Sequence, residues 1–221
     1  MRRTWLLVTV ILVAGCGSTA CRSQCAAVWV TRDHGAHVLR VGKVRAGLNA
    51  MRAVAVLAKI RTRFGGRYLL SVDGIGERGR HSWFYYVNGY LADRAATDYR
   101  LHSGDVLWWD YRSWRDPAQD PVVVGAFPEP FLHGYSGIRR PVAVVTNDRA
   151  GGRALARLLH GRIRAKPPPG ANVLYLLGRG RTRLVAGDSG SAGSPVRFRF
   201  SGDWHLLLRG RYPFRFRYSL P

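Results

Sequence analysis

Three short motifs in this chain carry residue types that chemistry uses, and each depends on partners elsewhere. Gly187-Asp188-Ser189-Gly190 has the form of a nucleophilic-serine loop. Such a serine attacks only when a histidine takes its proton and a buried carboxylate orients that histidine. No Ala-His-Cys surrounds any of the seven histidines, and the run continues as Ser191-Ala192-Gly193-Ser194, which is loop composition. Without partners the motif assigns no catalytic residue, so no enzyme is expected. Gly74-Ile75-Gly76-Glu77-Arg78-Gly79 has the glycine spacing that cradles a pyrophosphate, provided a helix follows. Ser82 to Val87 reads instead as a strand, so this run is predicted to be a loop. His34, His81 and His102 belong to no H-x3-H pattern, and the acidic residues are scattered. Neither a metal site nor a glycosidase carboxylate pair is expected, and no cofactor.

Binding chemistry is the remaining candidate. Between Trp83 and Trp114 runs WFYYVNGYLADRAATDYRLHSGDVLWWDYRSW, an aromatic density that serves either a packed small β-domain or a stacking surface. Aromatic side chains bury large areas, which favours Trp83, Tyr85, Tyr99 and Trp108 as core. Trp109, Tyr111 and Trp114, toward the end of the strand and the loop beyond it, are the candidate ligand-binding aromatics. Arg112 and Arg115 beside them could pair with an acidic group of a ligand.

The elements that would position these residues follow from periodicity. Ala26 to Thr31 and Val38 to Val41 read as short strands around the turn Arg32-Asp33-His34-Gly35. Leu48 to Ile60 repeats apolar residues at three and four spacing and predicts a helix, with Asn49 near its N-cap. Tyr68 to Val72 is a strand ending at Asp73-Gly74. Trp83 to Val87 and Tyr90 to Ala92 flank Asn88-Gly89, the strongest short hairpin signal, because a type I′ turn needs positive φ at both central residues. Gly104-Asp105 turns into the strand Val106 to Tyr111. Its alternation puts Val106, Trp108 and Asp110 on one face and Leu107, Trp109 and Tyr111 on the other. Both faces are bulky, so the strand should be covered on two sides. Strands with one long helix give an α+β class, in a β-grasp-like arrangement.

Residues Val28 to Trp114 resemble the transcobalamin C-terminal-like domain family. The matching positions are Thr62 and Phe64, Ser71-Val72-Asp73-Gly74, Trp83 through Gly89, Asp98-Tyr99, Leu101 with Gly104-Asp105, and Trp108 through Tyr111. The resemblance implies the fold of this first domain. In animal members the domain caps cobalamin, and bacterial relatives occur in lipoproteins and adhesin-like proteins. It therefore implies a ligand- or partner-binding surface, with a corrinoid or another transported small molecule as the expected ligand.

After Asp120-Pro121 the composition changes. Pro121 to Phe131 reads as a strand and a Pro-punctuated loop, Pro141 to Thr146 as a strand, and Ala154 to Leu159 as a short helix. Val173 to Leu177 and Thr182 to Ala186 read as a hairpin. Val196 to Phe200 and Phe214 to Tyr218 alternate Phe and Arg, with an apolar and a guanidinium face on each. Paired in one sheet, they would gather Arg197, Arg199, Arg215 and Arg217 on one side. The second part is therefore expected to be a smaller β-rich α/β region.

The start of the chain carries an address. Arg2 and Arg3 precede the short apolar run Trp5 to Ala14, well under the roughly 20 residues that a membrane span needs. Val13-Ala14-Gly15-Cys16 reads as a lipobox, with Cys16 acylated after cleavage; a plain secretory signal cut nearby is the alternative. Cys21 and Cys25 could then close a disulfide in an oxidising compartment or stay as two thiols in a tether. The expected organisation is a signal over 1–15, a tether over 16–25, the resembling domain over 26–118 and the second region over 119–221.

The net charge is +22, but Lys43, Lys59 and Lys166 are the only lysines among 35 basic residues. That skew is what a GC-rich coding sequence produces without selection for binding. No nucleic acid is expected as partner; lipid phosphates or anionic envelope polymers suit the arginines better. The expectation is an extracytoplasmic, membrane-anchored, non-enzymatic lipoprotein presenting a binding domain to a small molecule or transporter. The alternative is a structural or adhesive envelope module with no small-molecule ligand.

Overall fold

The computed structural model describes residues 21, 23–115, 121–187, 190–210 and 215–219. Cys16 with the predicted signal lies outside them, as do Asp188 and Ser189. The architecture is mixed α+β, with several β-sheets and few helices.

The first sheet begins with β1 (Cys25–Arg32) and β2 (His37–Arg45), antiparallel around a turn in which Asp33, His34 and Gly35 all have positive φ. Helix α1 (Ala50–Leu57) follows. Asn49 caps it as expected, its side chain accepting from the Arg52 amide at 2.8 Å. The helix stops earlier than its periodicity predicts. Ala58 is extended, and Ile60 opens β3 (Ile60–Arg63), which pairs with β4 (Tyr68–Val72). Asp73 fixes that change of structure: its carboxylate accepts the Lys59 amide at 2.9 Å and its own amide donates to the Lys59 carbonyl at 2.8 Å. Strand pairing has taken the backbone groups that three more helical residues would have used.

β5 (Ile75–Gly76) completes a small sheet with β3 and β4. β6 (His81–Val87) and β7 (Tyr90–Leu91) form the hairpin expected around Asn88-Gly89, with φ of 52° and 82° at the two turn residues. β8 (Val106–Ser113) then runs through the middle, giving the order β2-β1-β8-β6-β7, with β8 parallel to β1 and antiparallel to β6.

Both faces of β8 are covered, as its two bulky rows require. One core joins Val28, Val30, Tyr85, Leu107 and Trp109 to the buried side of α1, including Ala50 and Val54. The other joins Trp29, Tyr86 and Trp108 to Val123, Ala126 and Tyr218. Trp83, Tyr85, Tyr99 and Trp108 are core, as expected. Trp109 is buried too, which corrects its assignment to an exposed surface: alternation turns it inward, where its ring stacks on Tyr85 at 4.9 Å.

Residues 121–139 run between the two halves. The strand expected after Pro121 is instead a 3₁₀ turn at Val124–Ala126 followed by further turns. Pro128 and Pro130 have no amide to offer a ladder, and a Cβ at Gly125 would strike the Arg217 backbone. Phe131 of this segment meets Phe198 at 5.2 Å, so the hydrophobic core continues into the second half.

There β9 (Val142–Val145), α2 (Arg149–Leu158), β10 (Arg162–Ile163), β11 (Asn172–Leu176), β12 (Arg183–Ala186) and β13 (Arg197–Ser201) build a sheet of order β10-β9-β11-β13-β12. A helical turn α3 (His205–Leu208) follows. Helix α2 starts well before the predicted Ala154. Gly151 and Gly152 are packing glycines within it, since a Cβ at Gly151 would meet Leu176 and Trp204. The hairpin expected between β11 and β12 is split by β13, which lies parallel to β11. Phe198 and Phe200 have no exposed surface, so their strand takes an inner place and β12 the edge.

Arg197 and Arg199 alternate outward from the buried Phe198 and Phe200, as expected. Among the described residues 215–219 no partner strand forms. Phe214 lies outside the described residues, and 215–219 crosses the outer face of the first sheet, Phe216 meeting Trp29 at 4.5 Å and Tyr218 meeting Trp108 at 5.4 Å. These contacts add to the cover that Val123 and Ala126 give those tryptophans. Arg215 and Arg217 therefore share no sheet with Arg197 and Arg199, and the four-arginine face is not built there.

Candidate functional site: an arginine basin

β1 and β8 are parallel, so they end on the same side, and antiparallel β6 begins there. The register sets Arg32 beside Tyr111 and His81 beside Ser113. Two backbone bonds tie the turns at this end: the Asp33 amide donates to the Tyr111 carbonyl, and the Trp114 amide to the Arg80 carbonyl, both at 2.9 Å. The result is an open hollow of 770 Å³ lined by Arg32, Arg78, Arg80 and Arg115, with His81, Tyr111 and Asp33 among the other lining groups.

Tyr111 is the half-buried floor. Its hydroxyl donates to the Gly76 carbonyl at 2.8 Å, His81 stacks on its ring at 5.6 Å, and Trp83 lies at 5.2 Å. Burial pushes the hydroxyl above its ordinary pKa, against the opposing pull of Arg78. Among the described residues Asp33 is the one carboxylate in the lining, and it is already shared. Arg32 Nε lies 3.6 Å from it and His37 Nδ1 3.1 Å, all of them well exposed. Exposed pairs of this kind are worth about 0–1 kcal/mol. Four arginines thus line the hollow over an aromatic floor, with Asp33 as their carboxylate among the described residues. An anion, held bidentately by planar guanidinium forks, is what such a lining takes.

Of the five sequence candidates, Tyr111 and Arg115 line the basin, and Trp114 stands next to it, 53 % exposed. Trp109 and Arg112 do not reach it. Arg112 is buried on the opposite face, its guanidinium carbon 4.0 Å from the Phe84 ring centre and its Nη2 donating to the Tyr86 hydroxyl at 3.3 Å. Neighbouring residues on a strand point to opposite sides, so Tyr111 and Arg112 could not serve one surface. Sequence reasoning missed Arg32, Arg78 and Arg80. The signal for the last two was the basic turn Arg78-Gly79-Arg80 directly before the strand that pairs with β8.

The glycine-spaced run at 74–79 is strand β5 and a turn leading to another strand, not the mouth of a helix. Cys21 and Cys25 are joined in a disulfide, with Cα atoms 5.8 Å apart. Among the described residues, no group of three or more His, Cys, Asp or Glu is placed to hold a metal ion, and no helix is long and apolar enough to cross a membrane.

Residues 47–113 match a family described as Domain of unknown function (DUF4430). The match runs from just before α1 to the end of β8, taking in Asn88-Gly89, Gly104-Asp105 and the Tyr111 floor. It stops short of Arg115 and leaves out β1, β2 and the second sheet. No curated protein matches the chain.

Proposed function

We propose that this chain is an exported lipoprotein, anchored through Cys16 and without enzymatic activity, whose first domain holds an anionic envelope component in the arginine basin. The basin carries the reading: Arg32, Arg78, Arg80 and Arg115 line it with Tyr111, and among the described residues its one carboxylate is the shared Asp33. The basic n-region, the short apolar run and the lipobox support export and anchoring, and the Cys21–Cys25 disulfide suits an oxidising compartment. A helix following the first hairpin, and a last strand parallel to the first, support a β-grasp reading of the first domain. A lipid tether would keep the basin close to phosphate-bearing polymers and headgroups, where each basic contact contributes about 1 kcal/mol.

The narrower reading, a corrinoid or other small molecule passed to a transporter, rests on the resemblance to the transcobalamin C-terminal-like family. One observation favours an envelope module without such a ligand. Apart from Tyr111, the aromatic side chains of the first sheet pack into two cores, and the exposed tryptophan among the described residues is Trp114, just beyond β8.

The test titrates the full chain in detergent with poly(glycerol phosphate) and, separately, with cyanocobalamin across a salt series. Poly(glycerol phosphate) should bind, weaken steeply with salt, and lose about fivefold for each of Arg78→Gln and Arg115→Gln, the equivalent of about 1 kcal/mol per contact. Polymer binding indifferent to salt and to both substitutions refutes the basin. Membrane fractionation of the wild type against Cys16→Ala tests the anchor, and a variant that stays fully membrane-bound refutes it.

A further inference from the structure

The second sheet opens on an edge that the basin does not involve. β10, β9, β11 and β13 run parallel, so their carboxyl ends face one way. From β9 the chain crosses through α2 to β10 on one flank, then returns past β9 to β11 on the other. The direction of travel reverses between β9 and β11, and in open α/β sheets that reversal leaves a crevice outside the carboxyl ends of the strands. Two hollows lie there, of 570 and 820 Å³, sharing Asp148 and Gly178 in their linings. Thr146 after β9, Ala165 after β10, Gly178 after β11 and Gly202 after β13 all contribute to them.

The side chains there select a ligand by chemistry. The first amides of α2 are already taken, because Asp148 Oδ1 accepts from Ala150 at 2.9 Å and from Gly151 at 3.0 Å. A phosphate would find those donors occupied and a carboxylate in its way. Among the described residues after 120 the acidic side chains are Glu129, Asp148 and Asp203, and the last two line this crevice. Trp204 is half-buried and stacks on His205 with ring centres 3.7 Å apart, and His205 Nδ1 meets Asp203 Oδ1 at 2.6 Å. Asn147 and Arg179 are exposed at the lining, and neither side chain has a hydrogen-bond partner among the described residues. Ile163 and Leu177 offer apolar surface, 40 % and 62 % exposed.

We propose that this crevice binds a saccharide unit. A sugar ring presents several hydroxyl donors and acceptors along its edge and C–H surface on its faces. Asp203 accepts from hydroxyls, Asn147 does both, Arg179 donates, and Ile163, Leu177 and the Trp204 ring receive the apolar face. A polyanion meets two carboxylates here, and a simple cation meets Arg179, so a neutral polyhydroxylated ring matches both charges. The volumes are those of small-molecule sites, with a few convergent polar groups among apolar walls.

Calorimetric titration of the full chain with maltose, cellobiose and N,N′-diacetylchitobiose, with inorganic phosphate and citrate as anionic comparators, tests this. At least one disaccharide should bind one to one, with little dependence on salt. Its affinity should fall about tenfold in Asn147→Ala, in Arg179→Ala and in Asp203→Asn, all exposed positions that leave circular dichroism unchanged. The paired substitution Arg78→Gln with Arg115→Gln should leave sugar binding intact, which separates this crevice from the basin. The proposal is overturned by binding of phosphate or citrate with no disaccharide bound at millimolar concentration. It is equally overturned by sugar binding that survives both Asn147→Ala and Arg179→Ala.

Discussion

Asn88 Nδ2 donates to Asp105 Oδ1 at 2.7 Å, so the Asn-Gly hairpin and the Gly-Asp turn are bonded to each other. Both N–H groups of the Asn88 amide are used. Asn88 also donates to the Gly134 carbonyl at 2.9 Å and accepts the Val106 amide at 2.7 Å, while Asp105 Oδ2 accepts the His102 amide at 2.7 Å. Both are buried, with no exposed surface. The two turns thus form one polar plug that joins β6, β8 and the linker after residue 121.

Asn88→Ala should therefore destabilise the fold by about 3 kcal/mol or more. It leaves several buried polar groups without a partner, at about 1–3 kcal/mol each, and puts alanine at a φ of 52°. Asn88→Gly relieves the backbone and keeps the polar loss, so it should fall between alanine and wild type. Urea denaturation measures both. An alanine variant within about 0.5 kcal/mol of wild type, on the usual scale of surface substitutions, would show that the plug does not hold the two turns together.

Two tryptophans five residues apart should behave in opposite ways. Trp109 is 3 % exposed and stacked on Tyr85, so Trp109→Ala should cost about 3–5 kcal/mol. Trp114 is 53 % exposed, and its loss should change stability by less than about 0.5 kcal/mol. Thermal unfolding of the pair decides whether the end of β8 is core or surface. Equal losses at both positions would contradict the burial of Trp109 and the exposure of Trp114.

Much of the first sheet was legible because its signals are local. Positive φ at Asn88-Gly89 and the Asn49 cap depend on a few adjacent atoms, and β8 announced its double burial through two bulky rows. The end of α1 was not legible, since it depends on β4 competing for the backbone of Ile60 to Arg63. The place of β13 between β11 and β12 was hidden for the same reason. Of the basin, Tyr111 and Arg115 could be read from one strand end. Arg32 arrives only through the parallel pairing of β1 with β8, and Arg78 and Arg80 through β6. Arg112 was misplaced by adjacency in sequence, which on a strand means opposite faces.

His133 should make stability depend on pH. Its Nδ1 lies 2.5 Å from Glu129 Oε1, and the carboxylate bond holds the imidazole above its ordinary 6.5, with burial opposing and Asp105 adding to the rise. A base with a raised folded-state pKa stabilises fully below the unfolded value and loses that contribution as pH rises through the folded one. Unfolding free energy should therefore decline from pH 6 upward past 6.5, and Glu129→Gln should flatten the decline. Proton NMR titration of the His133 ring reads the same shift directly. A midpoint at or below 6.5 would refute the coupling.

Residues 215–219 close part of the outer face of the first sheet. Tyr218 is buried against Trp108 and Tyr86, its hydroxyl accepts from Arg112 Nε at 3.2 Å, and Asp110 shares a hydrogen bond with it. Burial pushes the Asp110 carboxyl above the usual range, and the bonds from Thr31, Tyr218 and Gly35 act against that rise. Removing the hydroxyl alone, in Tyr218→Phe, keeps the ring packing and should cost about 1–3 kcal/mol, the scale of a buried bond to charged partners. Tyr218→Ala removes the ring as well and should cost about 3–5 kcal/mol. Deleting residues 215–221 should go further and expose Trp29 and Trp108, which acrylamide quenching of tryptophan fluorescence would report as increased access. If the truncated chain keeps both its unfolding midpoint and its quenching, the segment is an accessory to the first sheet and not part of its core.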